Sequence, residues 1–192
     1  RAVTTVGAIS DDLFDVFVSS ETNALAVGDN GRIVVFDGTT WQPVAMQIQS
    51  EVPPDDAGVR FIEPKGTLEA VWASPRGRYY VAGSGGASYR ASTDTFVCTG
   101  TPRICPPFEI LDTRVSDPLR GLWGTDNRSV WAVGLDSLIL HFDGQWRRIR
   151  DGKAELLRKT FLFDIAGFDE SDITAVGWNG AAFRFANGEW HE

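Results

Sequence analysis

Asp15 and Asp164 occupy the same place in two near-copies of one sequence unit, "LFDVF" and "LFDIA". Paired carboxylates are the groups that glycoside hydrolysis uses as acid and base. A sialidase-like variant would add a cluster of arginines and a tyrosine nucleophile, but Tyr79, Tyr80 and Tyr89 all fall inside strand patterns. The histidines do not extend the set. His141 takes the repeat position held elsewhere by Val35, Arg90 and Arg184, and His191 stands beside the last residue. Neither completes a Ser-His-Asp arrangement or a zinc site. The expectation is therefore that no residue is catalytic and that the two aspartates solvate a central channel.

The stretch "GDNG" at 28–31 is a second candidate for chemistry. It lacks the Lys-Ser/Thr pair and the strand-to-helix setting of a phosphate loop. It also lacks the spaced carboxylates and distal Glu of a calcium loop. It reads as a turn between strands, so neither a metal nor a cofactor is expected. Cys98 and Cys105, in "CTGTPRICPP", are the two cysteines of the chain. With no histidine near them they make a poor zinc site. A small disulfide loop fits better, free buried thiols being the alternative, and a disulfide implies an oxidising, extracytoplasmic compartment.

The elements that hold these residues repeat. "LFDVFVSSETNALAVG" (13–28), "LEAVWASPRGRYYVAG" (68–83), "LRGLWGTDNRSVWAVG" (119–134) and "LFDIAGFDESDITAVG" (162–177) each place a Leu 15 residues before a Gly. An aromatic ring follows that Gly at Trp41, Phe96, Trp146 and Trp190. Between these marks, short runs rich in Val, Ile, Phe and Trp alternate with turn residues, and Asp37-Gly38, Asp143-Gly144 and Asn187-Gly188 suit tight hairpins. The Gly that closes "VG" is expected to let the second strand bend. Each unit thus reads as a four-stranded antiparallel meander with two apolar faces, which must stack on its neighbours.

The predicted fold is all-β, a β-propeller of four four-stranded antiparallel blades in one domain over residues 1–192, with blades at about 11–48, 67–100, 118–150 and 160–192. In one reading the N-terminal strand, 2–8, pairs into the fourth blade and latches a self-closed ring. In the other the chain is part of a larger ring completed by a second copy or another polypeptide. A chain opening on Arg1 reads as trimmed or excised. A short helix is expected at 153–159, "KAELLRK".

The repeats "SVWAVGLDSLILHFDGQW" and "ALAVGDNGRIVVFDGTTW" resemble the VWAVG-x-x-G-x-I-x-x-F-D-G-x-x-W units of bacterial secreted and surface propellers, a group similar to Asp-box (neuraminidase-repeat) and photosystem II assembly-factor propellers. A looser likeness, to tectonin-type lectins, rests on the second half of the motif. The second unit departs most, carrying "ASTDTF" in its outer part.

A net charge of -8 opposes binding to nucleic acid or an anionic membrane. The basic run "QWRRIRDGK" (145–153) reads as a charged edge strand. No apolar run approaches the roughly 20 residues of a membrane-spanning helix. Binding is expected on the face that carries the second-to-third-strand turns and the long linkers 49–67 and 99–118. There Asp29, Asn30, Asp136, Trp178 and Asn179 offer acceptors and one aromatic plate. A protein-interaction module in a larger assembly is the first reading; a glycan-binding lectin is the alternative and a glycoside hydrolase a distant third.

Overall fold

The computed structural model of the chain describes residues 4–5, 10–49, 61–62, 64, 66–100, 104–149 and 160–192. The expected helix at 153–159, and all of the stretch 2–8 except Thr4 and Thr5, lie outside these residues.

The described strands form four sheets, one per repeat. The first contains β1 (Thr4–Thr5), β2 (Leu13–Ser20), β3 (Asn23–Gly28), β4 (Ile33–Phe36) and β5 (Thr40–Val44), in the order β1-β5-β4-β3-β2. The second contains β6 (Ile48–Gln49), β7 (Phe61–Ile62), β8 (Leu68–Ala73), β9 (Tyr79–Gly83), β10 (Ser88–Ala91) and β11 (Phe108–Ile110), in the order β7-β6-β11-β10-β9-β8. The third is the meander β12 (Leu119–Asp126), β13 (Ser129–Gly134), β14 (Ile139–Phe142) and β15 (Trp146–Arg148). The fourth is β16 (Leu162–Asp169), β17 (Asp172–Gly177), β18 (Ala182–Ala186) and β19 (Glu189–His191). These are the four blades of an all-β propeller fold.

The fixed Leu-to-Gly spacing has a direct cause. Leu13, Leu68, Leu119 and Leu162 pair across the inner hairpin with Gly28, Gly83, Gly134 and Gly177. The backbone of each Gly is extended, with φ of -169, -177, -167 and -159°. What requires glycine is proximity: a Cβ would fall 2.0 to 2.2 Å from the carbonyl oxygen of Asp12, Thr67, Pro118 or Phe161. The bend expected at "VG" is thus a close approach of two backbones rather than a bend. The outer hairpins follow turn chemistry. Asp37 accepts from the N–H groups of Thr39 and Thr40, both at 2.8 Å, while Gly38 takes a φ of +91°. Across these hairpins Phe36 pairs with Trp41, Phe142 with Trp146 and Phe185 with Trp190, ring centroids 5.2 to 5.4 Å apart.

Three apolar cores lie between consecutive blades. Leu25, Val27, Ile33 and Val35 of blade one meet Val71, Tyr79 and Val81 of blade two. Trp72, Tyr80 and Ala82 then meet Leu122, Val130 and Leu140 of blade three, and Trp131, Val133 and Ile139 meet Ile165, Ile173 and Phe183 of blade four. Each blade therefore presents one apolar face forward and one backward, as stacking demands.

The structure alters four expectations. Thr4–Thr5 runs parallel to β5 on the outer edge of blade one, so the described part of the N-terminal stretch does not latch blade four. Ile48, expected at the end of blade one, instead joins blade two together with Gln49, beside β11, because the apolar Ile48 packs into the core between the two blades. The outer strand of blade two is Phe108–Ile110, beyond the cysteine loop and outside 67–100; Phe108 faces Ala91 in the register that Trp41 has with Phe36. Phe96 instead fills the core from a loop, 5.3 Å from Phe108.

The fourth concerns closure: the ring is open. Val16 is 52% exposed, whereas its counterparts Val71, Leu122 and Ile165 are 3, 7 and 3% exposed beneath a preceding blade. At the other end Val176 is 44% exposed, whereas Val27, Ala82 and Val133 are each 0%. Among the described residues no apolar core joins blade four to blade one, so the described blades form an arc and not a self-closed ring. The described part of the basic run, 145–149, does lie at a sheet edge, with Arg147 and Arg148 exposed on β15.

Candidate functional site

Each blade links its second and third strands through one 3-10 turn: Asp29–Gly31, Ser84–Gly86, Leu135–Ser137 and Trp178–Gly180. The middle residues Asn30, Gly85, Asp136 and Asn179 have φ of 54, 66, 57 and 55°. Glycine, Asn and Asp tolerate that left-handed region best, so backbone conformation accounts for the residue types at these positions.

The turns also hold the blades in line. Each donates back to the segment leading into its own blade: Asp29 N–H to Asp12 O at 2.9 Å, Ser84 N–H to Thr67 O at 2.9 Å and Trp178 N–H to Phe161 O at 2.8 Å. Each of the first three also engages the segment leading into the next blade. Gly31 N–H donates to Gly66 O at 2.7 Å, Thr113 Oγ1 donates to Gly86 O at 2.7 Å, and Ser137 N–H donates to Thr160 O at 2.8 Å.

All five sequence-predicted residues therefore lie on turns of one face, but in different states. Asp29 accepts from Thr67 Oγ1 at 2.9 Å. Asn30 donates to Asp11 at 3.0 Å, and Arg32 pairs with the same carboxylate at 2.6 Å. Those hydrogen bonds, Asn30's first, hold the Asp11 carboxyl below its ordinary range. Asp136 is exposed on the third turn. Trp178 stacks on Phe161, centroids 5.0 Å apart and planes 18° from parallel, with exposed Asn179 beside it. The second turn, Ser84–Gly86, adds neither carboxylate nor ring.

Phe161 is the member that sequence reasoning passed over. Its signal was its place immediately before the repeat Leu, where the other units have Asp12, Thr67 and Pro118.

The groups considered for catalysis are engaged elsewhere. Asp15 accepts from its neighbour Val16 N–H at 2.7 Å and from Val71 N–H of blade two at 2.8 Å, one to each carboxylate oxygen. Burial pushes its carboxyl above the ordinary range, against those two bonds, and the charge of Asp164 adds to the rise. Asp164 accepts from Ile165 N–H at 2.8 Å. Tyr79 donates to Ser19 Oγ at 2.9 Å and Tyr80 to Asn127 O at 3.0 Å, both rings fully buried. His141 stacks on Trp131 at 4.2 Å, and burial lowers its pKa. Among the described residues no group of three or more His, Cys, Asp or Glu is placed to hold a metal ion. Cys98 and Cys105 form a disulfide.

No family model and no curated protein sequence matches the chain. Solved structures do. YCF48 from Cyanidioschyzon merolae is similar over 91% of this chain and 50% of that one, at 15% identity and a TM-score of 0.62. The WD40 beta propeller domain of Doa1 aligns with 97% of this chain and 69% of that one, at 9% identity and a TM-score of 0.46. The likeness to YCF48 is one of fold: it makes this chain a β-propeller in the broad sense, without singling out the Asp-box repeat. The chain spans half the length of that protein.

Proposed function

We propose that the chain is a non-catalytic propeller module that binds another protein through the face bearing the four turns and the inter-blade linkers. The observation that carries this reading is the build of that face. Four turns of one backbone shape are hydrogen-bonded to the segments around them, so their outward side chains stand on a rigid frame. Asp136, Asn179 and the Trp178–Phe161 stack supply polar and aromatic groups there, a composition suited to a partner's loop. Asp15, Tyr79 and Tyr80 are committed to internal hydrogen bonds, which supports a binding role over hydrolysis. The Cys98–Cys105 disulfide and the resemblance of the repeats to secreted and surface propellers support an extracytoplasmic setting.

A photo-crosslinking residue placed in turn at Asn30, Asp136 and Asn179, and at Arg76 and Arg128 in the loops at the opposite end of the strands, tests this reading in the native host. Adducts to one protein from the turn positions alone support it. Adducts from Arg76 and Arg128 alone overturn it. The exposed Trp178 plate favours glycan binding as a second reading. Glycan-array signal that disappears in Trp178→Ala would put that reading first.

A further inference from the structure

Blades one and two each carry an added strand on the outer edge, and in both it runs parallel to the strand it covers. In blade one Thr4 and Thr5 of β1 face Thr40 and Trp41 of β5. In blade two Ile48 of β6 faces Phe108 of β11, and Phe108 N–H donates to Gln47 O at 2.7 Å. Trp41 and Phe108 hold one register position, and its counterpart in blade three is Trp146 of β15. Among the described residues no strand pairs with the outer edge of β15.

That edge has the groups a further strand needs. Across β14 and β15, Asp143 N–H donates to Gln145 O and Ile149 N–H to Ile139 O, so Gln145, Arg147 and Ile149 turn their main-chain groups inward. Antiparallel strands alternate in this respect, which leaves the N–H and C=O of Trp146 and Arg148 pointing outward. Side chains alternate too. Trp146 packs into the core shared with blade two and Arg148 lies on that same face, whereas Arg147 lies on the other, paired with His141; both arginines are exposed. Beside Trp146 is a groove of about 230 Å³ lined by Ile110, Leu111, Asp112, Arg114 and Phe142.

From this pairing pattern we infer that blade three takes up an extended acidic segment of another protein as a fifth strand, parallel to β15. Blade two shows what the first position asks for. Ile48 shares a core with Phe108, so the residue facing Trp146 is apolar and enters the groove beside Ile110. The next two residues face Arg147 and Arg148 and are acidic, one carboxylate on each side of the sheet. Asp143, 3.3 Å from Arg147, opposes a carboxylate there, so the acidic preference is stronger at Arg148. The same arginines disfavour a second copy, because two β15 edges brought together would set like charges against each other. The site uses no residue of the turn-bearing face and does not depend on what that face binds.

The hexapeptide Thr-Gln-Ile-Glu-Glu-Thr, labelled for fluorescence anisotropy, tests the proposal on the purified chain. It should bind about 10-fold or more tightly than Thr-Gln-Ile-Lys-Lys-Thr. The order should reverse in Arg147→Glu with Arg148→Glu, whose folding circular dichroism checks. Hydrogen exchange at the amides of Trp146 and Arg148 should slow when the peptide is bound. N-methylation of the peptide's first Glu, whose N–H would reach Trp146 O, should remove binding to the wild type without altering any charge. No binding at millimolar peptide overturns the proposal. So does binding that tolerates the N-methyl group or leaves those two amides unprotected, which would mean a charged surface with no added strand. A single-stranded oligonucleotide that displaces the acidic peptide and binds more tightly overturns it as well.

Discussion

Oδ2 of Asp15 accepts a hydrogen bond from the main-chain N–H of Val71, 2.8 Å away, and so ties the innermost strand of blade one to that of blade two. Its other oxygen accepts from Val16 N–H, which leaves both engaged by backbone. Alanine at this position leaves the Val71 amide without its acceptor. Asp15→Ala should therefore cost about 1–2 kcal/mol in chemical denaturation.

The same carboxylate predicts a pH dependence. Burial raises its pKa in the folded chain, so the native state holds this proton more tightly than the unfolded one. Its contribution to stability is full below the ordinary Asp value of about 3.9 and is lost as pH rises through the raised value. Asp15→Asn should remove the loss of stability across that window. Unfolding free energies measured at intervals from acid to neutral pH would show it, and an unchanged slope would contradict it.

Asp37 has the opposite sign. Hydrogen bonds from Thr40 N–H and from Thr39 hold its carboxyl far below the ordinary range. Its contribution is present above the unfolded value and is lost as pH falls through the folded one. Asp37→Asn should leave stability less sensitive to acid, and chemical-shift titration of wild-type Asp37 should find it still ionised where free aspartate is half protonated.

Gly83 and Gly85 separate two reasons for being glycine. A Cβ on Gly83 would lie 2.1 Å from Thr67 O although its φ is an ordinary -177°, whereas one on Gly85 meets nothing within 4 Å although its φ is +66°. Gly83→Ala should cost about 3 kcal/mol through overpacking. Gly85→Ala should cost about 1 kcal/mol through its left-handed backbone. Urea midpoints in the reverse order would refute the distinction.

The Gly83 case also shows why the blades could be read from sequence. A Leu 15 residues before a Gly is a cross-strand pair, fixed by a hairpin of set length and register shifts, and therefore survives in all four units. The outer part of blade two was not legible, because the cysteine loop stands between β10 and the strand that pairs with it, and Phe96 imitates the spacing of Trp41 without sharing its role. Closure was not legible either. It depends on angles summed over three junctions, which follow from pairs such as Trp123 and Gly167 that lie far apart in sequence. For the candidate site, turn chemistry put Asn30, Asp136 and Asn179 in the turns between second and third strands, where they lie, but the left-handed backbone explains those residue types as well as any ligand would.

Trp123 of blade three lies over Gly167 of blade four, where the first junction has the smaller Phe17 in one core with Ala73, and the pair offers a direct test of what sets the blade spacing. A Cβ on Gly167 would sit 2.6 Å from the Trp123 ring, so Gly167→Ala should cost about 2 kcal/mol. Adding Trp123→Phe recreates the Phe17 and Ala73 combination of the first junction and should recover about 1 kcal/mol of that loss. A double-mutant cycle that shows simple additivity would mean the ring does not set the blade spacing.

The Cys98–Cys105 disulfide closes a loop whose ends also pair through Thr99 and Ile104, with hydrogen bonds of 2.9 and 2.8 Å. β11 follows this loop and is paired with β10, Tyr89 facing Ile110 and Arg90 facing Glu109. In the chain-entropy account, closing so short a ring adds about 2.5 kcal/mol. Reduction, or Cys98→Ser with Cys105→Ser, should lower stability by about that amount. It should also loosen the outer edge of blade two before the inner strands, because β8 and β9 are held by cores on both faces. Hydrogen exchange resolves this: amides of Phe108–Ile110 should exchange faster after reduction, while those of Tyr79–Gly83 keep their protection. Uniform acceleration across the blade would show that the disulfide supports the whole sheet and not its edge.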